Sequence, residues 1–262
     1  MNTVRIGEVE VGKGMPKVIV PIVAKTREGI LDKAREIRSV APGTVDMVEW
    51  RADFYDAVTD VEKTAETGRL LREILKEIPF LFTFRTAREG GEKEIPAELY
   101  TKLNQAMAER GGASCVDVEM FSDEETVKEN LRNIHACGIP VIGSRHSFKE
   151  TPAAEVMVRE LRKMQDLGAD ILKIAVMPKS RKDVAVLLSA TADMCENYAD
   201  RPLITMSMGP YGMISRISGE VFGSSMTFGA LGEVSAPGQL PVSALNKALR
   251  LVHDELIVRQ IQ

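Results

Sequence analysis

Short apolar runs alternate along this chain with longer stretches in which apolar residues recur every three to four positions. KVIVPIVA (17–24), VDMVEWRAD (45–53), FLFTFR (80–85), SCVDVEM (114–120), IPVIGSRHSF (139–148), DILKIAVM (170–177), PLITMSM (202–208) and SSMTFGAL (224–231) have the length and composition of buried strands. Between them the periodicity predicts helices over 27–40, 61–78, 96–111, 122–138, 151–168, 180–198 and 241–258, whereas 209–223 is shorter and less regular. Pro96 suits a first helical turn, Ser122 and Thr151 read as N-caps, and Gly138 and Gly168 end their helices. Eight strand–helix units without a linker-like break predict one α/β domain over 1–262, a (β/α)8 TIM barrel. VRIGEVEVG, within residues 1–16, alternates apolar and polar and predicts a short N-terminal β-hairpin closing the barrel bottom. An open doubly wound sheet is the alternative; it typically uses fewer strands, and no G-x-G-x-x-G follows the first one.

Composition narrows the setting without altering the fold. A hydrophobic share of 44% against 27% charged is ample for a large core. The net charge of −4 argues against a nucleic-acid partner, which needs a basic surface to displace counterions. The polar start MNTVRIGEVEVGKG lacks a signal peptide's apolar centre, and no stretch approaches the ~20 apolar residues of a membrane span. Three scattered cysteines (Cys115, Cys137, Cys195) suggest neither a disulfide framework nor zinc, and His135, His146 and His253 lack ligand spacing. A cytoplasmic protein without a metal is expected.

The chemistry stands out against the strand pattern. In DILKIAVM, parity places Lys173 on the lumen face with Ile171, Ala175 and Met177, while Leu172, Ile174 and Val176 face the helices. Burial there disfavours the charged amine, as a nucleophile requires; a structural ion pair with a lumen carboxylate is the alternative. Glu49 and Arg51 share a face, as do Asp117 and Glu119; Arg85 ends the third run and His146 lies at the carboxyl end of the fifth. Each has an ordinary structural reading. Five of eight strands with such charges is hard to attribute to stability, because buried ion pairs stabilise poorly. Barrel active sites form at that end. A lysine can make an imine with a ketone, a histidine can shuttle the adjacent proton, a carboxylate such as Glu119 can orient it, and arginines bind an anion. The residues alone reach a Schiff-base lyase or aldolase acting on a small keto acid.

EWRAD (49–53), FTFRTAREGGE (82–92), DVE (117–119), HSFKETP (146–152), DILKIAVMP (170–178), MSMGPYGMISR (206–216) and FGSSMTFG…SAPGQ (222–239) together resemble type I 3-dehydroquinate dehydratase over almost the whole chain. The resemblance implies 3-dehydroquinate as substrate in the shikimate pathway, with Lys173 forming the Schiff base, His146 as general acid and base, and Glu119 orienting His146. It places Glu49, Arg51 and Arg85 on substrate hydroxyls and Arg216 on the carboxylate. Ser235 and Gln239 fall on a lid, Glu89 at the pocket edge, and Met206 and Met208 on its apolar wall. It implies no cofactor and a homodimer. SAPGQLP (235–241), with one glycine and two prolines, suits a hinged lid over 232–241 or an ordinary loop. Two departures stand out: Ser147 follows the histidine where many relatives have Asp, which leaves its tuning to Glu119, and Ala24 replaces a small polar residue. A class I aldolase, with FGALGE (228–233) as a weak phosphate loop, and a non-catalytic anion binder are the rival readings.

Overall fold

In the computed structural model, residues 2–40, 43–232 and 238–260 are described. A hairpin of β1 (Val4–Ile6) and β2 (Val9–Val11) precedes eight parallel strands: β3 (Lys17–Ile22), β4 (Met47–Arg51), β5 (Phe80–Thr83), β6 (Cys115–Glu119), β7 (Val141–Ser147), β8 (Ile171–Val176), β9 (Leu203–Ser207) and β10 (Met226–Ala230). They follow sequence order from β3 to β9, with β10 beside β3, and a short β11 (Leu240–Pro241) extends the β10 edge. The curled sheet brings β9 back to the start of β10. Leu203 bridges Ser224, its carbonyl accepts the Ser225 amide at 2.7 Å, and Ser224 Oγ accepts the Thr205 amide at 3.0 Å. The barrel expectation holds.

Helices α1 (Arg27–Ser39), α2 (Val61–Leu75), α3 (Ala97–Glu109), α4 (Glu124–Ala136), α5 (Ala154–Asp166), α6 (Arg181–Asn197) and α9 (Val242–Gln260) fill the predicted stretches, and the irregular one contains α7 (Met213–Ile217) and α8 (Gly219–Phe222). Their ends show where local chemistry decides. Asp123, not Ser122, caps α4 by accepting the Thr126 amide. Thr151 donates to the Met177 carbonyl instead of capping α5, which starts after Ala153 without a side-chain cap. Gly138 and Gly168 take positive φ after α4 and α5, the left-handed stop expected of them. Among the described residues, no helix is long and apolar enough to cross a membrane.

Strand pleating separates two cores. Val20, Trp50, Phe82, Val118, Leu172 and Ile174 point outward beneath the helices. Ile19, Met47, Leu81, Cys115, Ile142, Ile171 and Ile204 fill the lower lumen, where Ile6 and Val11 of the hairpin join them and plug the bottom. One pleat higher the same strands turn polar: Glu49, Thr83, Asp117, Ser144 and Lys173 are all buried. That layer forms the floor of the site.

Candidate active site

Lys173 stands mid-strand in β8, 3% exposed. Its Nζ donates to Asp117 Oδ2 at 3.2 Å, lies 3.7 Å from Glu49 Oε1, and sits 4.8 Å from the centre of the Phe228 ring. Both sequence readings of this lysine thus meet at one place: the amine is buried and it has a carboxylate partner.

Asp117, which the sequence flagged without assigning a role, anchors the layer. Its Oδ1 accepts Arg85 Nη2 at 2.7 Å and Ser144 Oγ at 2.6 Å. Burial alone would raise its pKa, but Arg85, Lys173 and Ser144 outweigh burial and hold it below the usual carboxylate value. Arg85, expected on substrate hydroxyls, directs Nη1 to Glu119 and Ser144, each at 3.0 Å, while still lining the cavity. Arg51 grips Asp53 with two bonds of 2.8 Å, and Thr83 donates to Glu49 at 3.0 Å.

The carboxylate on His146 is Glu89, which corrects the assignment of Glu119. Glu89 Oε2 accepts the His146 amide at 2.9 Å and pairs with Nδ1 at 3.1 Å, and its Oε1 accepts Arg145 Nη1 at 3.0 Å. Glu119 instead takes the Thr86 amide and Arg85 on Oε1 and the Thr86 hydroxyl on Oε2. Register explains the difference: β6 and β7 pair Glu119 with Ser144, one pleat below His146. Glu89 reaches the histidine from the one-turn helix after β5, Ala87–Glu89, which Gly90 and Gly91 close. No strand pattern marks such a position. Ser147 donates to the Glu150 carbonyl at 2.8 Å, so the departure beside the histidine serves its own loop.

Burial pushes Glu89 up to about 7; Arg85 and Arg145 oppose the rise and Glu119 adds to it. Burial, followed by the charges of Arg85, Lys173, Arg51 and Arg145, holds His146 well below the usual imidazole value. His146 is therefore neutral near pH 7. While Glu89 is ionised, Nδ1–H donates to it and Nε2 keeps its lone pair, the arrangement of a general base.

One cavity gathers Glu49, Arg51, Arg85, Glu89, His146, Lys173, Met206, Met208, Arg216 and Gln239, ten of the twelve expected residues. Gly90, Phe148 and Ala175, to which the strand pattern assigns no site role, complete it together with Phe228. Arg216, on α7, is 1% exposed, and burial pulls its guanidinium down to about 10. Glu119 lines a neighbouring hollow with Thr86 and Tyr100, and Ser235 lies outside the described residues. The supposed phosphate loop FGALGE begins as strand, Phe228–Ala230 of β10, with Gly229 packed on Leu245 and Val242.

Comparison with known proteins gives the family. The family model of the type I 3-dehydroquinases matches residues 18–255. A 3-dehydroquinate dehydratase of Bacillus licheniformis is 47% identical over 97% of this chain and 98% of its own length. One of Salmonella agona is also 47% identical, over 97% and 100%. The crystal structure of the Clostridium difficile type I enzyme with covalently modified comenic acid is 44% identical, with a TM-score of 0.93 over 97% of this chain and 99% of that one. With its fold, cavity and full-length likeness in agreement, the chain belongs to the type I 3-dehydroquinases, the hydro-lyases named 3-dehydroquinate dehydratases.

Proposed function

We propose that this enzyme dehydrates 3-dehydroquinate through an imine at Lys173, with His146 as the proton carrier. The observation that supports this most is a buried lysine amine and a neutral histidine opening into one cavity on adjacent strands β8 and β7. The ammonium first loses a proton, and its lone pair adds to the C3 carbonyl. Returning that proton and expelling water gives the protonated imine, so that R–NH3⁺ and O=C become R–NH⁺=C and H2O. His146 Nε2 then takes a C2 proton while the C–H electrons move into C2–C3 and the C=N pair moves to nitrogen. The enamine pushes out the C1 hydroxyl, which leaves as water with the proton that His146 held, in a syn elimination. Water adds to the remaining imine and releases 3-dehydroshikimate and the lysine.

Substrate binding follows from the charges that border the cavity. Arg216 faces the substrate carboxylate, where low water content strengthens a bidentate pair. Glu49 and Arg51 take hydroxyls, Met206 and Met208 form the apolar wall, and Arg85 contributes its field more than free donors. We read residues 232–241 as the lid of this one-domain enzyme; Gln239 lines the cavity, and Ser235, the other lid residue expected to touch substrate, lies outside the described residues. The far end of that segment is anchored: Leu240 and Pro241 pair with Gly229 and Ala230, and a Cβ on Gly238 would stand 2.2 Å from the Gly209 carbonyl oxygen. We further read the enzyme as a cytoplasmic homodimer of the shikimate pathway. Its free thiols at Cys115, Cys137 and Cys195 support the compartment, and exposed Met213, Ile214 and Val221 on α7 and α8 support the dimer.

Replacing Lys173 by Met tests the proposal. Turnover falls by several orders of magnitude while product still binds, because only the nucleophile is lost. Turnover within tenfold of wild type overturns the imine route.

A further inference from the structure

Asp117 does not border the substrate cavity, yet it holds the amine that does. Its two oxygens have separate duties: Oδ1 is fixed by Arg85 and Ser144, and Oδ2 is left to Lys173 at 3.2 Å. Three neighbouring strands hold it in place, with Asp117 on β6, Ser144 on β7 and Lys173 on β8.

We propose that Asp117 is a positioning residue and the fixed counter-ion of the Lys173 nitrogen throughout the reaction. The inference rests on the Schiff-base reading above. In that chemistry, R–NH3⁺ + O=C gives R–NH⁺=C + H2O, so the nitrogen carries one positive charge before and after imine formation. One immobile carboxylate therefore serves both states without a proton of its own. An ammonium has three N–H bonds to place, whereas an iminium has one, lying in the plane of the double bond. Directing that N–H at Oδ2 sets the plane of the imine and so the face on which the C2 hydrogen meets His146.

The other charged groups leave this duty to Asp117. Glu49, on β4, lies farther from Nζ at 3.7 Å and is engaged by Thr83. Glu119 and Glu89 are held by Thr86 and by His146 with Arg145. Arg85, after β5, is the basic group that shares Asp117, and His146 stands one pleat above Ser144 on β7 with the charges of Arg51 and Arg145 acting on it; Tyr100 and Cys115 are further titratable groups whose charge states feel Asp117. Phe228 presents only its ring.

The test compares wild type with Asp117→Asn and Asp117→Glu, trapping the Lys173 adduct with cyanoborohydride in 3-dehydroquinate from neutral to alkaline pH. Loss of one preorganised charge predicts a kcat about 100-fold lower in D117N. The pH at which trapping fails should fall by about 1–3 units, since an adjacent opposite charge favours a cation by that much. D117E keeps the charge, so its trapping midpoint stays with wild type even as its rate falls from misplacement. A D117N midpoint and rate equal to wild type overturn the role of Asp117 alone. No wild-type adduct at all removes the Schiff-base reading, and this inference with it. Should D117N not fold, nitrogen-15 NMR of lysine-labelled wild type saturated with 3-dehydroshikimate decides. An imine that stays protonated into alkaline solution supports the counter-ion, and one that deprotonates near neutral pH overturns it.

Discussion

Replacing Glu89 by Gln tests whether Glu89, and not Glu119, tunes His146. The wild-type side chain accepts the His146 amide and Nδ1–H on one oxygen and Arg145 on the other. A carboxamide has one acceptor where the carboxylate has two. If its oxygen faces His146, its NH2 group faces the Arg145 guanidinium; if it flips, Nδ1 loses its acceptor. Either way about one charge-assisted hydrogen bond is lost, roughly 1.5–3 kcal/mol. At about 1.4 kcal/mol per tenfold, this lowers kcat about 10- to 100-fold. KM should move by less than about threefold, because the contact changes base orientation more than ground-state binding. The pH profile is a second readout. Glu89 titrates near 7, so the wild-type rate should decline on the acid side through that pH. In E89Q the limb should move to lower pH, where His146 alone sets it, since its pKa is held well below the usual value. Absorbance of the conjugated enone product gives both constants. Glu119→Gln is the control, and its acid limb should stay in place because Glu119 bonds Thr86 and Arg85. An unmoved limb in E89Q together with a shifted one in E119Q would refute the assignment.

The same carboxyl bears on stability. Glu89 has its folded pKa raised from 4.5 to about 7, so its stabilising share is present below the unfolded value and lost as pH rises through about 7. The Tm of E89Q relative to wild type should therefore rise from pH 5 to pH 8, and calorimetry showing the reverse slope would contradict the burial argument. Arg216→Met removes one guanidinium from the cavity, the one read as facing the substrate carboxylate, so KM should rise about 10- to 100-fold with a smaller change in kcat, as steady-state kinetics will show. Gly91→Ala places a Cβ 1.9 Å from the Arg85 carbonyl oxygen, a backbone clash that cannot be relieved by a side-chain rotation. It should cost about 1–3 kcal/mol in a denaturant melt and lower kcat by displacing the turn that carries Glu89.

Much of this was legible in the chain because a barrel strand has a period of two. Parity alone placed Lys173 among the lumen residues and Leu172, Ile174 and Val176 beneath the helices, and the structure agrees. Parity also flagged Asp117, but what it contacts depends on strand register and on the lengths of neighbouring side chains. Register defeated the reading of Glu119: it shares a face with Asp117, yet its β7 partner is Ser144, not His146. Glu89 lies in a one-turn helix whose path is set by Gly90 and Gly91 and by tertiary contacts, where no periodicity applies. Helix boundaries failed for a similar reason. Ser122 and Asp123 are both competent caps, and the position of the Thr126 amide decides between them.

In the proposed mechanism the Lys173 nitrogen becomes covalently joined to the substrate ketone. Peptide mass spectrometry after mixing the enzyme with 3-dehydroquinate and borohydride tests this most directly. A stable reduced adduct should form on the peptide carrying Lys173 and disappear in K173M. An enzyme that turns over 3-dehydroquinate under the same conditions yet yields no adduct at Lys173 would contradict the mechanism.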